Sequence, residues 1–203
     1  MRVTILGANG KTGREVVKQA LAAGHTVYGV VRREGGLRGS PNLHAVIGDA
    51  TDTNVIVQAS RGSDVIISAL GTKSNKSTVI TDAVKAVIAA SKMTGCKRFI
   101  LMSAFTVETE RLTGPVKLMS GALKGMTDDK STSENLLRNS PLDWTIVYPT
   151  RLTNQPKGSG LRVISETEKL GMKHTIARAD VAAFMLGEAE KNAYLKKEVT
   201  ISQ

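Results

Sequence analysis

The sequence predicts a single α/β domain built around a doubly wound parallel sheet, and three observations carry that prediction. Short apolar runs alternate with segments of helical period along the whole chain, as parallel strands joined by helical crossovers require. The first run leads directly into a turn that holds Gly7, Gly10 and Gly13. The third observation is size and composition: 203 residues, 41% apolar and 23% charged, with 19 glycines and 5 prolines. That is one ordinary globular domain, able to bury roughly 70% of its unfolded surface.

Residues 3–6 form the first buried strand and 12–23 the first helix, with Val16, Val17, Ala20 and Leu21 on one face. A strand over 26–31 closes the first βαβ unit. Residues 43–47 read as a third strand, 54–59 as a short helix, 64–70 as a fourth strand, 78–93 as a long helix and 98–102 as a fifth strand. The segment 104–126 interrupts the pattern with Gly114, Pro115, Gly121 and Gly125, and is expected to be a loop or broken helix that covers the substrate. A helix over 127–139, a strand over 144–147, a helix over 179–190 and a strand over 198–201 follow, with 149–203 as the C-terminal part of the same domain. In such a sheet the ligand crevice lies beyond the carboxyl ends of the strands, so the chemistry is expected there.

The lone Cys96 permits no internal disulfide and no cysteine-rich zinc site, so a reducing, cytoplasmic setting and no metal centre are expected. No stretch approaches the roughly 18–20 apolar residues that span a bilayer. The 28 basic and 18 acidic residues give a net charge of +10, a field that attracts nucleic acid and small phosphorylated ligands alike. Residues 1–101 hold 14 Lys/Arg and 6 Asp/Glu, whereas residues 102–203 hold 14 and 12. The excess therefore surrounds the glycine turn, and aromatics at 3% leave little for base stacking. The expected partner is a small molecule, with no nucleic acid and no membrane, bound by a monomer or weak homodimer.

The turn Gly7, Ala8, Asn9, Gly10, Lys11, Thr12, Gly13 has the spacing GxxGxxG. Glycines allow the tight turn, the approach of backbone to a diphosphate and close helix packing, while open amides at the helix start face the anion. This assigns Gly7, Asn9, Gly10, Lys11, Thr12 and Gly13 to a dinucleotide; a merely tight βα turn is the alternative. The run Gly10, Lys11, Thr12 also matches the end of a triphosphate-binding loop, but that loop needs a glycine where Ile5 stands.

The second strand ends in Arg32 and Arg33. NAD sites place a carboxylate there for the ribose hydroxyls, whereas a 2′-phosphate wants a cation, so NADP, with NADPH as the reductant, is the expected cofactor. Lys11, Arg14 and Arg38 are available to reinforce the pocket, and two arginines solvating a loop are the alternative. Asp49 and Ala50 after the third strand are expected near the adenine, and Ala69, Leu70, Gly71 and Thr72 after the fourth near the ribose. Helix capping is the alternative for Asp49 and Asp52.

The strings GANGKTG, VVRR, GDATD, ALGT and SAF, with WTIVYP and ARADVAAFML further on, resemble the atypical short-chain dehydrogenase/reductases with an NAD(P)-binding Rossmann fold. Within them the nearest likeness is to the biliverdin IX beta reductases, the NADPH-dependent flavin reductases, and it runs nearly end to end. The resemblance implies that Ser103 lies beside the nicotinamide with Pro149 and Thr150, a strand-end cap being the alternative for Ser103, and that Phe105, Met126 and the 104–126 segment border a flat substrate. It also implies that Lys130 fixes ribose or tunes charge. Met119, Met126 and Met172 offer soft apolar contacts, core filling being the alternative. Arg151 stands where the relatives have an active-site histidine; a guanidinium hardly deprotonates, so pairing with a propionate or a flavin phosphate is the expectation.

The general short-chain family uses a Tyr followed four residues later by a Lys. Lys130 meets the lysine position, Met126 occupies the tyrosine position, and none of Tyr28, Tyr148 and Tyr194 precedes a lysine by four. An alcohol or ketone, which must lose or gain a proton at oxygen, is therefore disfavoured. The expected reaction is hydride transfer from NADPH to a flavin or a biliverdin-like tetrapyrrole, with a solvent proton completing it. The alternative is an NADP-binding redox sensor without turnover. A nucleotide-sugar epimerase or dehydratase ranks last, since those relatives usually carry the Tyr and Lys pair and a longer C-terminal domain.

Overall fold

The computed structural model describes residues 1–203 except 36, 38, 73, 121–123 and 159, and except the side chains of 119, 120 and 126. Arg38 and the side chains of Met119 and Met126, singled out above, lie outside the described residues. The elements are β1 (Arg2–Leu6), α1 (Lys11–Ala22), β2 (Thr26–Val31), β3 (Leu43–Ile47), α2 (Thr53–Ser60), β4 (Val65–Ser68), α3 (Val79–Thr94) and β5 (Arg98–Met102). Two 3-10 turns (Phe105–Val107 and Thr109–Arg111) lead to α4 (Gly114–Ser120), α5 (Lys124–Arg138), β6 (Asp143–Pro149), β7 (Arg151–Thr153), β8 (Arg162–Ile164), β9 (Thr175–Ala177), α6 (Arg178–Lys191) and β10 (Lys197–Ser202).

The main sheet runs β3-β2-β1-β4-β5-β6-β10-β8, and its pairs are parallel except β8, which runs antiparallel to β10. Strands β7 and β9 form a separate parallel pair. Strand order moves outward from β1 to β2 and β3, then restarts on the other side of β1 with β4. That reversal opens a crevice above the carboxyl ends of β1 and β4, and the single-domain Rossmann architecture expected from the sequence is the one present.

β1 and β4 read as near-continuous apolar runs because helices cover both faces of the sheet. On one face α1 and α6 bury Val16, Val17, Val181 and Met185 against Val3, Ile5 and Ile201. On the other, α2, α3 and α5 bury Ile56, Val84 and Leu137 against Leu6, Ile66 and Phe99. Each such side chain contributes about 1.5–3 kcal/mol on burial. α5 is also tied to α3 by Asp129, whose carboxylate accepts the backbone N–H of Ile80 at 3.1 Å and of Thr81 at 2.9 Å. Those are open donors in the first turn of α3, satisfied here from another helix.

Several boundaries differ from the sequence reading. β4 stops at Ser68, so Ala69 and Leu70 leave the strand and turn along the crevice. The short strands β7, β8 and β9 were not anticipated, because three-residue strands carry too little periodicity to register, whereas α4 falls within the 104–126 stretch expected to be a loop or broken helix. In the 104–126 segment the two 3-10 turns and α4 bury Phe105, Leu112 and Val116 against Ile164 and Leu170. A bridge from Leu112 to Leu170 and hydrogen bonds from Arg111 to the carbonyls of Ser165 and Glu168 fasten this stretch to the β8 side. Among the described residues no helix is long and apolar enough to cross a membrane.

Candidate cofactor and active site

Gly7 leaves β1 with φ of +74°, and a Cβ there would approach the Ala69 carbonyl oxygen to 3.1 Å. Glycine is therefore needed twice over, for conformation and for space. The Gly10 N–H closes the turn on the Gly7 carbonyl at 2.8 Å. Gly13 packs the first turn of α1 onto that turn so closely that a Cβ would fall 2.1 Å from the same carbonyl oxygen. α1 begins without a side-chain cap and without an acidic residue in its first turn. Its leading amides and the positive end of its dipole are thus left for an outside anion.

Beside this helix start lies a cavity of about 560 Å³. It brings together Gly7, Asn9, Gly10, Arg32, Asp49, Ala50, Ala69, Leu70, Gly71 and Thr72 from the sequence-predicted set. Val30, Val31, Ser77 and Val79 also line it, and sequence reasoning missed them. Ser77 ends the loop after β4 and Val79 opens α3, so their place in chain order was the available signal. The Asn9 Oδ1 atom is buried without a hydrogen-bond partner, an arrangement that costs about 1–3 kcal/mol unless a ligand donor supplies the bond. An uncapped helix start, a glycine cradle and an orphaned acceptor at one cavity fit a phosphate-bearing ligand with donor groups of its own.

The remaining predicted residues divide. Lys11 and Arg33 are exposed and outside the cavity lining, whereas Thr12 and Gly13 are buried beneath the turn. The Asp49 carboxylate accepts from the backbone N–H and the hydroxyl of Thr51 at 3.0 and 2.9 Å while still lining the cavity. Asp52 instead caps α2, accepting from the Asn54 N–H at 2.8 Å. Pro149 and Thr150 are buried where β6 ends, the Thr150 hydroxyl meeting that of Ser202 at 3.1 Å. Arg151 is exposed on β7, its backbone N–H bound to the His174 carbonyl. Phe105 faces the small cluster under the 104–120 stretch, and Met172 is exposed.

Ser103 lies just past the carboxyl end of β5, held by its N–H on the Val147 carbonyl at 2.8 Å. Its hydroxyl donates to Glu134 Oε1 of α5 at 2.5 Å. Glu134 is fully buried, and its other oxygen accepts from the Tyr148 hydroxyl at 2.9 Å and from Arg138 at 3.2 Å. Burial raises the Glu134 pKa above the usual carboxylate range, against the opposing hydrogen bonds from Ser103 and Tyr148 and the charge of Arg138. One turn earlier, burial lowers the Lys130 pKa to about 8, although the carboxylates of Glu134 and Asp129 favour its charged form. The sequence offered one signal for this cluster, a glutamate one turn after Lys130, but only the fold brings Tyr148 and Ser103 to it.

Residues 7–192 match the family described as NAD(P)H-binding. A curated relative, the uncharacterized sugar epimerase YhfK of Bacillus subtilis (strain 168), is 30% identical over 206 residues, covering 95% of this chain and 90% of that protein. Among solved structures, a short-chain dehydrogenase/reductase of Veillonella parvula DSM 2008 in complex with NADP superposes with a TM-score of 0.83 at 17% identity, covering 100% of this chain and 94% of that one. ChuY, an anaerobilin reductase from Escherichia coli O157:H7, superposes with a TM-score of 0.81 at 24% identity, over 99% of this chain and 96% of that one. With the Rossmann sheet, the glycine cradle and the family match in agreement, the chain belongs to the NAD(P)H-binding family and carries it on a Rossmann fold.

Proposed function

We propose that the protein is an NADPH-dependent reductase of a planar conjugated acceptor, a flavin or a linear tetrapyrrole. The observation that carries the reading is the cavity at the start of α1, where uncapped amides, the Gly7 cradle and the orphaned Asn9 Oδ1 meet Arg32 at the end of β2. In this reading Gly7, Asn9, Gly10 and the amides of Lys11, Thr12 and Gly13 hold the diphosphate. Arg32 takes the 2′-phosphate, with Arg33 adding long-range field. Asp49 and Ala50 border the adenine, and Ala69, Leu70, Gly71 and Thr72 the riboses. The nicotinamide reaches Ser103, Pro149 and Thr150, and when bound it supplies hydride. Lys130 tunes charge there, while Arg151 and the stretch around Phe105 and Met126 flank the acceptor. The similarity to an anaerobilin reductase supports a tetrapyrrole as one acceptor class.

Two chemical points weigh against epimerase chemistry, despite the name of the Bacillus relative. Withdrawing a proton from a sugar hydroxyl needs a base that touches it, and Met126 stands where the short-chain family has its tyrosine. Tyr148 cannot substitute, because its hydroxyl lies behind Glu134 and burial beside Glu134 and Glu198 pushes its pKa far up. The test is steady-state NADPH oxidation with flavin mononucleotide or biliverdin added. Acceptor-dependent oxidation is expected; tight NADPH binding with no turnover of either acceptor would assign the sensor role.

A further inference from the structure

The proposed reaction needs one proton for each hydride, and the usual tyrosine donor is absent. A line of hydrogen-bonded oxygens supplies a route. It starts at the Ser103 hydroxyl, 2.5 Å from Glu134 Oε1, continues from Glu134 Oε2 to the Tyr148 hydroxyl at 2.9 Å, and from there to Glu198 Oε2 at 3.1 Å. Its inner members are sealed: Ser103 is 4% exposed, Glu134 0% and Tyr148 2%. Its outer member, the Glu198 side chain, is 39% exposed. Tyr148 and Glu198 also line a second cavity of about 550 Å³ bordered by Glu108, Arg111 and Thr200. Two strands, one helix and the residue just past a third strand supply this line, so it is a product of the fold and not of local sequence.

We propose that Ser103, Glu134, Tyr148 and Glu198 form a proton path from the second cavity to the reacting end of the cofactor cleft, with Glu134 as the positioning residue that reloads Ser103. The proposal rests on the reading that Ser103 faces the nicotinamide. The overall balance is NADPH plus acceptor plus one proton giving NADP⁺ plus the dihydro acceptor, and the path provides only the proton. In the delivering state the Glu134 carboxyl carries its proton on Oε1 and the Ser103 O–H turns from Glu134 to the acceptor heteroatom; as that atom gains its electron pair, Ser103 gives up its O–H proton and takes the one on Glu134 Oε1. The Tyr148 hydroxyl returns a proton to Glu134 and is refilled from Glu198, which exchanges with water. No other bond in the protein is made or broken.

The charges around Glu134 suit a group that cycles between two states. Burial favours the neutral acid and Glu198 acts in the same direction, while Arg138, on the same helix, favours the carboxylate. Arg138 Nε binds Glu198 Oε1 at 2.6 Å and its Nη2 reaches Glu134 at 3.2 Å, so one guanidinium steadies both ends of the path. Lys130 lies one turn away, its pKa lowered by burial to about 8. Ser103 from β5 and Tyr148 from β6 complete the groups that face Glu134.

The test compares wild type with Tyr148→Phe and Glu198→Gln, using NADPH with flavin mononucleotide or biliverdin, and adds infrared titration of the ligand-free protein. Tyr148→Phe is expected to lower kcat by about tenfold to a hundredfold, to leave KM for NADPH within about twofold, and to regain rate as pH falls and hydronium replaces the path. Glu198→Gln is expected to show the same pattern more weakly. In the ligand-free protein, Glu134→Gln should remove a carboxyl band that titrates above the ordinary carboxylate range, and Tyr148→Phe should move that titration. A wild type that binds NADPH but reduces neither acceptor removes the reductase reading, and the path with it. A wild type that turns over, with Tyr148→Phe unchanged in kcat, pH profile and carboxyl titration, overturns the path alone.

Discussion

Replacing Arg32 with alanine separates a 2′-phosphate site from a surface arginine. Arg32 lines the cavity at the end of β2, whereas Arg33 is exposed and does not line it. A charge-assisted hydrogen bond is worth about 1.5–3 kcal/mol. Because Arg32 is itself exposed, the lower part of that range applies, which corresponds to a loss of roughly tenfold to thirtyfold in NADPH affinity. NADH lacks the phosphate, so its affinity should change by less than about threefold, as should NADPH affinity in Arg33→Ala. Titration calorimetry of the four combinations measures this directly. Salt adds a control: the screening length shrinks from about 8 Å at 0.15 M to about 3 Å at 1 M, so high salt should weaken NADPH binding to wild type more than to Arg32→Ala. Equal losses of NADPH and NADH in Arg32→Ala, or an equal effect of Arg33→Ala, would refute the assignment.

Gly13→Ala places a methyl group 2.1 Å from the Gly7 carbonyl oxygen; it should cost about 1–3 kcal/mol in thermal unfolding and weaken NADPH at least about tenfold by shifting the cradle. Asp129→Ala strands the Ile80 and Thr81 amides and should cost about 2–4 kcal/mol in urea unfolding, with Asp129→Asn milder. Glu134 has a raised pKa, so its stabilising contribution is complete below the ordinary carboxylate range and is lost as pH climbs through the raised value. Above that value Glu134→Gln should gain on wild type by on the order of 1 kcal/mol, read from unfolding curves across pH. For Lys130, lowered from 10.5 to about 8, the penalty for burying its charge applies below pH 8 and disappears as pH rises toward 10.5. Lys130→Met should therefore be more stable than wild type at neutral pH, by on the order of 1 kcal/mol for this half-buried group, and lose that margin in alkali.

The parts of the fold legible in the sequence are those where local chemistry and tertiary role coincide. Val3–Leu6 and Val65–Ser68 are apolar because both faces are covered, and the glycines of the first turn are small because backbone lies against backbone. Legibility fails where the role is assigned from a distance. Residues 162–164 pair with β10 across the sheet edge with two of three residues exposed, so no alternation marks them. Nothing local marks Asp129, while its carboxylate accepts from the backbone N–H of Thr81, 48 residues earlier in the chain. The cavity residues at strand ends followed from topology, but Val30, Val31, Ser77 and Val79 were missed because crevice walls use ordinary residues. Glu134 and Tyr148 carry no mutual spacing signal, since strands β5, β6 and β10 bring their partners together.

An amide-resolved NMR titration with NADP⁺ tests the central claim most directly, that a diphosphate rests on the opening of α1. The account predicts saturable shifts largest at the backbone amides of Asn9 to Gly13 and at the Asn9 side chain, with Arg32 following. Saturation with those amides unmoved, or no saturable shift at all, would contradict it.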